Sequence, residues 1–257
     1  MGRHYHKRNA VAATARGFTL IELAVALVVV ALVLGSLLVP LQAQVEQRKT
    51  AETQRTLDQA MEALLGFAAA NGRLPCPAFA TGSEDPPGGG NCNHPYDGFF
   101  PAATLGLGPT DAQGYLLDAW GLSQNRIRYA VTTVSPGCSS YAYTTTNGMK
   151  NCWSQITGGT VAPNLTVCST ATGIASLTCA AGAKLTDKAP SVIYSLGKNA
   201  ATGGTGADEA QNTNGDRVFV WHTQSGSNAP NGEFDDIMVW MSPNVLYSRM
   251  ISAGQLP

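Results

Sequence analysis

The chain has 257 residues, with 16 Lys+Arg against 17 Asp+Glu and only 13% charged residues. That length holds one or two domains and enough material for a sizeable core. Residues 1–17 carry Arg3, Lys7, Arg8 and Arg16 and no acid, leaving 12 basic against 17 acidic residues beyond them; that balance argues against a general nucleic-acid binder, which needs clustered Lys and Arg.

The first predicted element is a helix beginning near Phe18. From Leu23 to Val39 the chain is apolar, with Gly35 and Ser36 as the weak exceptions. Taken as a helix, 18–41 is about 36 Å long at ~1.5 Å per residue, against ~30 Å of bilayer hydrocarbon. The expectation is a membrane span whose basic leader stays cytoplasmic, placing the rest of the chain outside. All six cysteines follow the span, as suits an oxidising compartment.

Just before the apolar run stands Gly17-Phe18-Thr19-Leu20-Ile21-Glu22. With the basic leader in front and Pro40 near the end of the run, this string resembles the N-terminus of type IV pilins and type II secretion pseudopilins. The resemblance implies that a prepilin peptidase cuts after Gly17 and methylates the new N-terminal Phe18. It also implies a role in assembly for Glu22, an acid costly in lipid. Its carboxylate would pair with a freed N-terminal amine, commonly that of a neighbouring subunit, as protomers leave the bilayer for a filament. Pro40 stands one residue later, relative to Phe18, than in many major pilins.

Beyond Pro40, which should bend or locally open the helix, the helical pattern turns amphipathic. Leu57, Met61, Leu64 and Ala68 follow a 3–4 spacing with Phe67 beside them, and Asn71-Gly72 reads as the stop. From Leu74 the texture changes to short β-rich runs between Gly, Pro, Asn and Ser. Strands are expected at 126–134, 191–196, 217–222 and 236–241, the first with Ile127, Tyr129 and Val131 on one face. The 81–90 stretch reads as a flexible loop. Asp118-Ala119-Trp120-Gly121 resembles the turn before a strand in major pseudopilins, with Trp120 expected against the long helix. Ser242-Pro243 reads as the N-cap and first residue of a short final helix.

The cysteines form sequence-local couples: Cys76 with Cys92, Cys138 with Cys152, and Cys168 with Cys179. Six cysteines allow fifteen connectivities, and this is the simplest. There is no Cys-x-x-Cys to suggest zinc. Acids gather late, at Asp208, Glu209, Asp216, Glu233, Asp235 and Asp236, in Gly- and Asn-rich loops that suit an oxygen-ligand site. Asp235-Asp236-Ile237 and the 195–199 loop resemble the calcium loop of major pseudopilins, although Asn199 stands where an acid is expected. The implied ligands are Asn199, Asp208, Asp216, Asp235 and Asp236. No nucleophile elbow, zincin motif or phosphate loop is present.

The expected fold is α+β: a long N-terminal helical spine, membrane-spanning in its first half, packed on an antiparallel sheet with disulfide-bonded loops. The expected divisions are a cleaved leader at 1–17, a membrane or filament-core helix at 18–41, its amphipathic continuation at 42–72 and a globular head at 73–257. The expected function is structural rather than enzymatic: a pilin-like subunit, of minor type given the large head, in a type IV pilus or secretion pseudopilus. The alternative is an adhesin or DNA-uptake pilin at a filament tip. Implied partners are the prepilin peptidase, the inner-membrane assembly platform, other pilin or pseudopilin subunits and the membrane, with no specific nucleic acid. The implied location is the bacterial inner membrane with a periplasmic head, then a filament.

Overall fold

A computed structural model describes residues 17–134, 141–202, 204 and 206–257, with the side chains of 35–41 outside the description. The chain divides into two compact units, one ending at Gln47 and the other Arg48–Pro257. Helix α1 (Leu20–Asn71) begins in the first and continues into the second without a break at Pro40. In the first unit, the described apolar side chains from Leu20 to Leu34 are all exposed. Among the described residues, no helix is long and apolar enough to cross a membrane; the expected span includes 35–41, whose side chains fall outside them.

In the second unit, α1 buries one stripe: Thr53, Leu57, Ala60, Leu64, Leu65 and Ala68. Met61 and Phe67, expected on that stripe, lie at its margin and are half-buried. The helix stops as the Asn71-Gly72 pair predicts. Gly72 adopts φ +68°, a left-handed turn that glycine enters without a Cβ penalty, and its N–H donates to the Ala68 carbonyl at 2.9 Å.

The stripe faces a four-stranded antiparallel sheet in the order β1-β2-β5-β7: β1 (Gly98–Phe99), β2 (Arg128–Val131), β5 (Ser191–Ser195) and β7 (Ile237–Trp240). Tyr129, Val131, Ile193 and Ile237 join the α1 core together with Ile127. Ala130, Val192, Tyr194 and Met238 point the other way, into a second core with Leu165, Val167, Ala189 and Phe219. Those four come from, or adjoin, a three-stranded sheet in the order β4-β3-β6: β3 (Leu165–Cys168), β4 (Lys184–Ala189) and β6 (Val218–Val220). The central strand β5 is therefore covered on both faces, which is why its middle, Val192-Ile193-Tyr194, is continuously apolar.

Three corrections to the expectation follow. The described residues form two sheets, and β3 pairs with β6 in parallel, so the head is not purely antiparallel. The β2 strand is shorter than expected, and its second face is interior at Ala130, with Arg128 stacked over Phe99. The 81–90 loop is pinned by a buried ion pair. Arg73 donates to both Glu84 oxygens at 2.7 and 2.8 Å, while the Gly88 and Cys76 amides donate to the same carboxylate.

The short helices α2 (Ala102–Leu105), α3 (Gly148–Asn151), α4 (Trp153–Thr157) and α5 (Ala207–Asn212) sit in the connections. The last helix, α6 (Pro243–Ser252), starts at Ser242 with Pro at its first position, as expected, and adds Leu246 and Met250 to the α1 core. Cys76–Cys92 and Cys168–Cys179 are bonded, with Cα separations of 5.4 and 5.6 Å. Cys152 is also disulfide-bonded; its expected partner, Cys138, lies outside the described residues.

Burial pushes the Glu84 carboxyl up, but Arg73 and the two amides outweigh it and hold the group below the ordinary carboxylate range. Removing one partner of such a pair strands a buried charge. Glu84→Ala should therefore cost about 3 kcal/mol, read from denaturant unfolding of the full-length protein in detergent. A loss no larger than that of an exposed-pair control such as Glu62→Ala, whose partner is Arg249 at the surface, would show that the pair does not hold the loop.

Candidate functional site

Two sites merit construction from their residues. The first is the processing junction. Residues 17–19 are non-helical and exposed, and Phe18 shows 88% of its surface. A Cβ added at Gly17 would meet nothing within 4 Å, and its φ is not in the left-handed region. The described surroundings thus impose no steric requirement for glycine at 17.

Glu22 has a local partner that its place in the sequence did not reveal. Its carboxylate accepts from the Thr19 amide at 3.0 Å and the Thr19 hydroxyl at 3.1 Å, while the Glu22 amide donates back to the hydroxyl at 3.3 Å. This Thr-x-x-Glu arrangement is a capping box, satisfying donors that a helix start leaves open. The signal was present in Thr19-Leu20-Ile21-Glu22.

The second site lies in the head, where α5, the start of β7 and the 197–199 loop meet. Oxygens of Glu209, Asp235 and Asp236 all lie within 4.8 Å of one another, and all three residues are buried. The Asp235 amide and the Asn199 side-chain amide donate to Glu209, each at 2.9 Å to Oε1. Asp235 Oδ2 accepts the Lys198 and Asn199 amides at 3.2 and 3.3 Å. Asp236 Oδ2 accepts from Asn212 at 2.7 Å. The remaining oxygens, Asp235 Oδ1 and Asp236 Oδ1, are buried without a partner, as is Asn199 Oδ1.

Asp235 and Asp236 each keep a buried oxygen without a hydrogen-bond partner, and a buried carboxyl needs a counter-charge or a proton. Burial and the neighbouring Glu209 push Asp235 up to about 7, and burial pushes Asp236 well above the ordinary range. An all-oxygen donor set fits a hard divalent cation such as calcium or magnesium and does not fit zinc, which prefers nitrogen and sulfur.

Of the five expected ligands, Asn199, Asp235 and Asp236 come together here. Asp208 and Asp216 do not, and Glu209 takes the third carboxylate position. Asp208 precedes Glu209 on α5 and points elsewhere, accepting from the Thr170 hydroxyl, the Ala171 amide and the Asn231 side chain, with His222 Nε2 at 3.2 Å. Asp216 closes its own turn, accepting from Gln211, Asn214 and the Val218 amide. Which of two adjacent acids faces the site depends on the rotation of a six-residue helix, which no sequence pattern in Asp208-Glu209 discloses.

The cleft beside Asp208, about 490 Å³ and lined by Ser169, His222, Ser225 and Asn231 among others, has hydroxyl, acid and imidazole together. It is not a hydrolytic triad. Both His222 nitrogens are engaged, one by the Thr223 carbonyl at 2.7 Å and one by Asp208, leaving none to activate a serine.

Because burial and the neighbouring Glu209 raise the Asp235 carboxyl, stability should depend on pH with a definite sign. Asp235 is raised from an ordinary 3.8 to about 7, so the folded state holds a proton that the unfolded state has released. That contribution is fully present below 3.8 and lost as pH rises to about 7. Melting of the chelator-treated protein should fall across this window and flatten above it. A profile flat from about pH 4 to about pH 8 would show these acids to be solvated.

Residues 13–38 match the family model of the prokaryotic N-terminal methylation motif. No curated protein and no solved structure matches the chain. The matched segment contains the exposed Gly17-Phe18 junction, the Glu22 capping box and the start of the apolar helix. The chain thus bears, at residues 13–38, the N-terminal methylation signature of type IV pilins and pseudopilins.

Proposed function

We propose that this chain is a structural, non-enzymatic filament subunit, a minor pilin or pseudopilin. It would be held in the bacterial inner membrane by residues 18–41 with its head in the periplasm. A prepilin peptidase would then cut it at Gly17–Phe18 and methylate it there, and the inner-membrane assembly platform would draw it into a filament with other subunits. The observation that carries this reading is the coincidence of the 13–38 motif with an exposed, non-helical Gly17-Phe18 junction. The bare apolar side chains of Leu20 to Leu34 support it as well. Such a surface needs covering, and lipid and the helices of neighbouring subunits are the two covers that the reading supplies.

In this reading Glu22 has two tasks. Its capping box starts the helix, and its charge receives the amine that cleavage creates on Phe18. The two are separable by substitution, since glutamine can also close a capping box but carries no charge.

The second part of the reading is that Glu209, Asp235 and Asp236, with Asn199, hold a hard divalent cation, calcium in the first instance. The cation would supply positive charge at the unpartnered oxygens of Asp235 and Asp236. Supporting it are the orphaned oxygens of Asp235 and Asp236, both more than nine-tenths buried.

Intact mass of the mature protein should correspond to a chain beginning at Phe18 with one added methyl group, and a bulky substitution at Gly17 should leave precursor in the membrane. Mature protein beginning downstream of Val39 would overturn the pilin reading. Glu22→Ala and Glu22→Gln should both be inserted and cleaved yet be missing from sheared filaments. Normal incorporation of Glu22→Gln would assign Glu22 to capping alone.

For the head, calcium should raise the melting temperature of full-length protein in detergent, and chelator should reverse the rise, because a ligand that binds only the folded state stabilises it by mass action. Asp236→Asn should stabilise the calcium-free protein at alkaline pH, through relieved repulsion, while removing most of the calcium-dependent shift. Unchanged melting at millimolar calcium would leave the cluster without a cation role.

A further inference from the structure

The Asp118-Ala119-Trp120-Gly121 turn carries more than the fold of a loop requires. Asp118, Asn125 and Ser195 are all buried, at 5%, 1% and 0% exposure. Asn125 Nδ2 donates both to Asp118 Oδ2 at 2.9 Å and to the Gly197 carbonyl at 2.6 Å. The Ser195 hydroxyl donates to the same Asp118 oxygen and accepts the Gly197 amide at 3.1 Å. Both polar groups of Gly197 are thus held by one buried network centred on Asp118.

Gly197 is the point at which the loop touches the carboxylate cluster. It has φ +65°, and a Cβ there would lie 2.1 Å from Asp235 Oδ1 and 2.6 Å from its carboxyl carbon. The two amides that follow, Lys198 and Asn199, hold Asp235 Oδ2, leaving Oδ1 as the orphan. The position of the Gly197 peptide therefore sets the aim of Asp235. On its other side the network reaches α1, where the Thr53 hydroxyl, fully buried, accepts the Ala119 amide at 3.1 Å.

We propose that Asp118, Asn125 and Ser195 are positioning residues for the Glu209–Asp235–Asp236 cation site, and that the Ala119–Thr53 bond ties that site to helix α1. The inference rests on the cation reading above. Residues that orient ligands from behind typically change metal affinity by roughly 10- to 100-fold when removed. The Asp118 network has the geometry to act this way, since it fixes the backbone that fixes Asp235 and touches none of the orphaned oxygens itself. It also gives the turn a purpose beyond shape: a cation that orders Asp235 would stiffen a continuous path to the helix.

The test is calorimetric titration of full-length protein in detergent with calcium alone, alongside melting with and without it. Asn125→Ala should weaken calcium binding roughly 10-fold or more. The control is Tyr143→Phe, which breaks a buried hydrogen bond to Tyr247; it should lower melting but leave the dissociation constant unchanged. Thr53→Val should weaken binding, and Thr53→Ser should restore it, which also keeps the test open if Asn125→Ala does not fold. Wild-type protein that binds calcium while Asn125→Ala and Thr53→Val bind equally well would overturn this inference and leave the cation reading standing. Wild-type protein that binds no calcium would overturn both.

Discussion

The head depends on covering one stripe of α1. Leu57, Ala60, Leu64, Leu65 and Ala68 are all but removed from solvent, and a fully buried leucine contributes about 1.5–3 kcal/mol relative to an exposed one. The stripe shares one core with Tyr129, Ile193 and Ile237 of the sheet and with Leu246 and Met250 of α6. Because the sheet's inner face is committed to α1, its outer face, apolar at Val192, Tyr194 and Met238, requires a second cover, which β3 and β6 provide. The two-sheet head is a consequence of that doubly apolar layer.

Inside this frame are two buried polar systems that differ in completeness. Arg73 and Glu84 satisfy each other, and local backbone amides occupy the remaining lone pairs. The pair needs nothing from outside and serves the fold. Glu209, Asp235 and Asp236 bring three carboxylates within 4.8 Å of one another, and one oxygen each of Asp235 and Asp236 is buried without a hydrogen-bond partner. A buried network whose polar atoms are all partnered stabilises the fold, whereas one with unpartnered carboxylate oxygens is a candidate for a ligand. That contrast separates a structural ion pair from a candidate binding site when both are equally buried.

Among the described residues of the first unit, the apolar side chains from Leu20 to Leu34 are exposed and the candidate processing junction at Gly17-Phe18 has no secondary structure. The capping box explains how Glu22 is tolerated at the head of an apolar helix: its carboxylate already accepts two hydrogen bonds from Thr19.

Much was legible in the residues themselves. The apolar run, the Gly-Phe-x-x-x-Glu string, the Asn71-Gly72 stop and the Ser242-Pro243 start are local codes, because helix termini and peptidase motifs are read from a few consecutive side chains. The strand cores followed from short apolar runs, but their ends did not, and the parallel β3–β6 pair carried no local signature since its partners are some fifty residues apart. The Arg73–Glu84 lock was hidden because Glu84 lies in a stretch whose Gly and Pro content suggested mobility. In the candidate cation site, Asp235 and Asp236 were accessible as adjacent acids beside a strand, but composition gave no means of ranking Asp208, Glu209 and Asp216. The sequence by itself determined which residues could start, stop and bury a helix, since those depend on neighbours in the chain. Only the tertiary structure decided which acids share a site, because that depends on how α5 is rotated against β7 and on the Asp118 network that presses Gly197 onto Asp235.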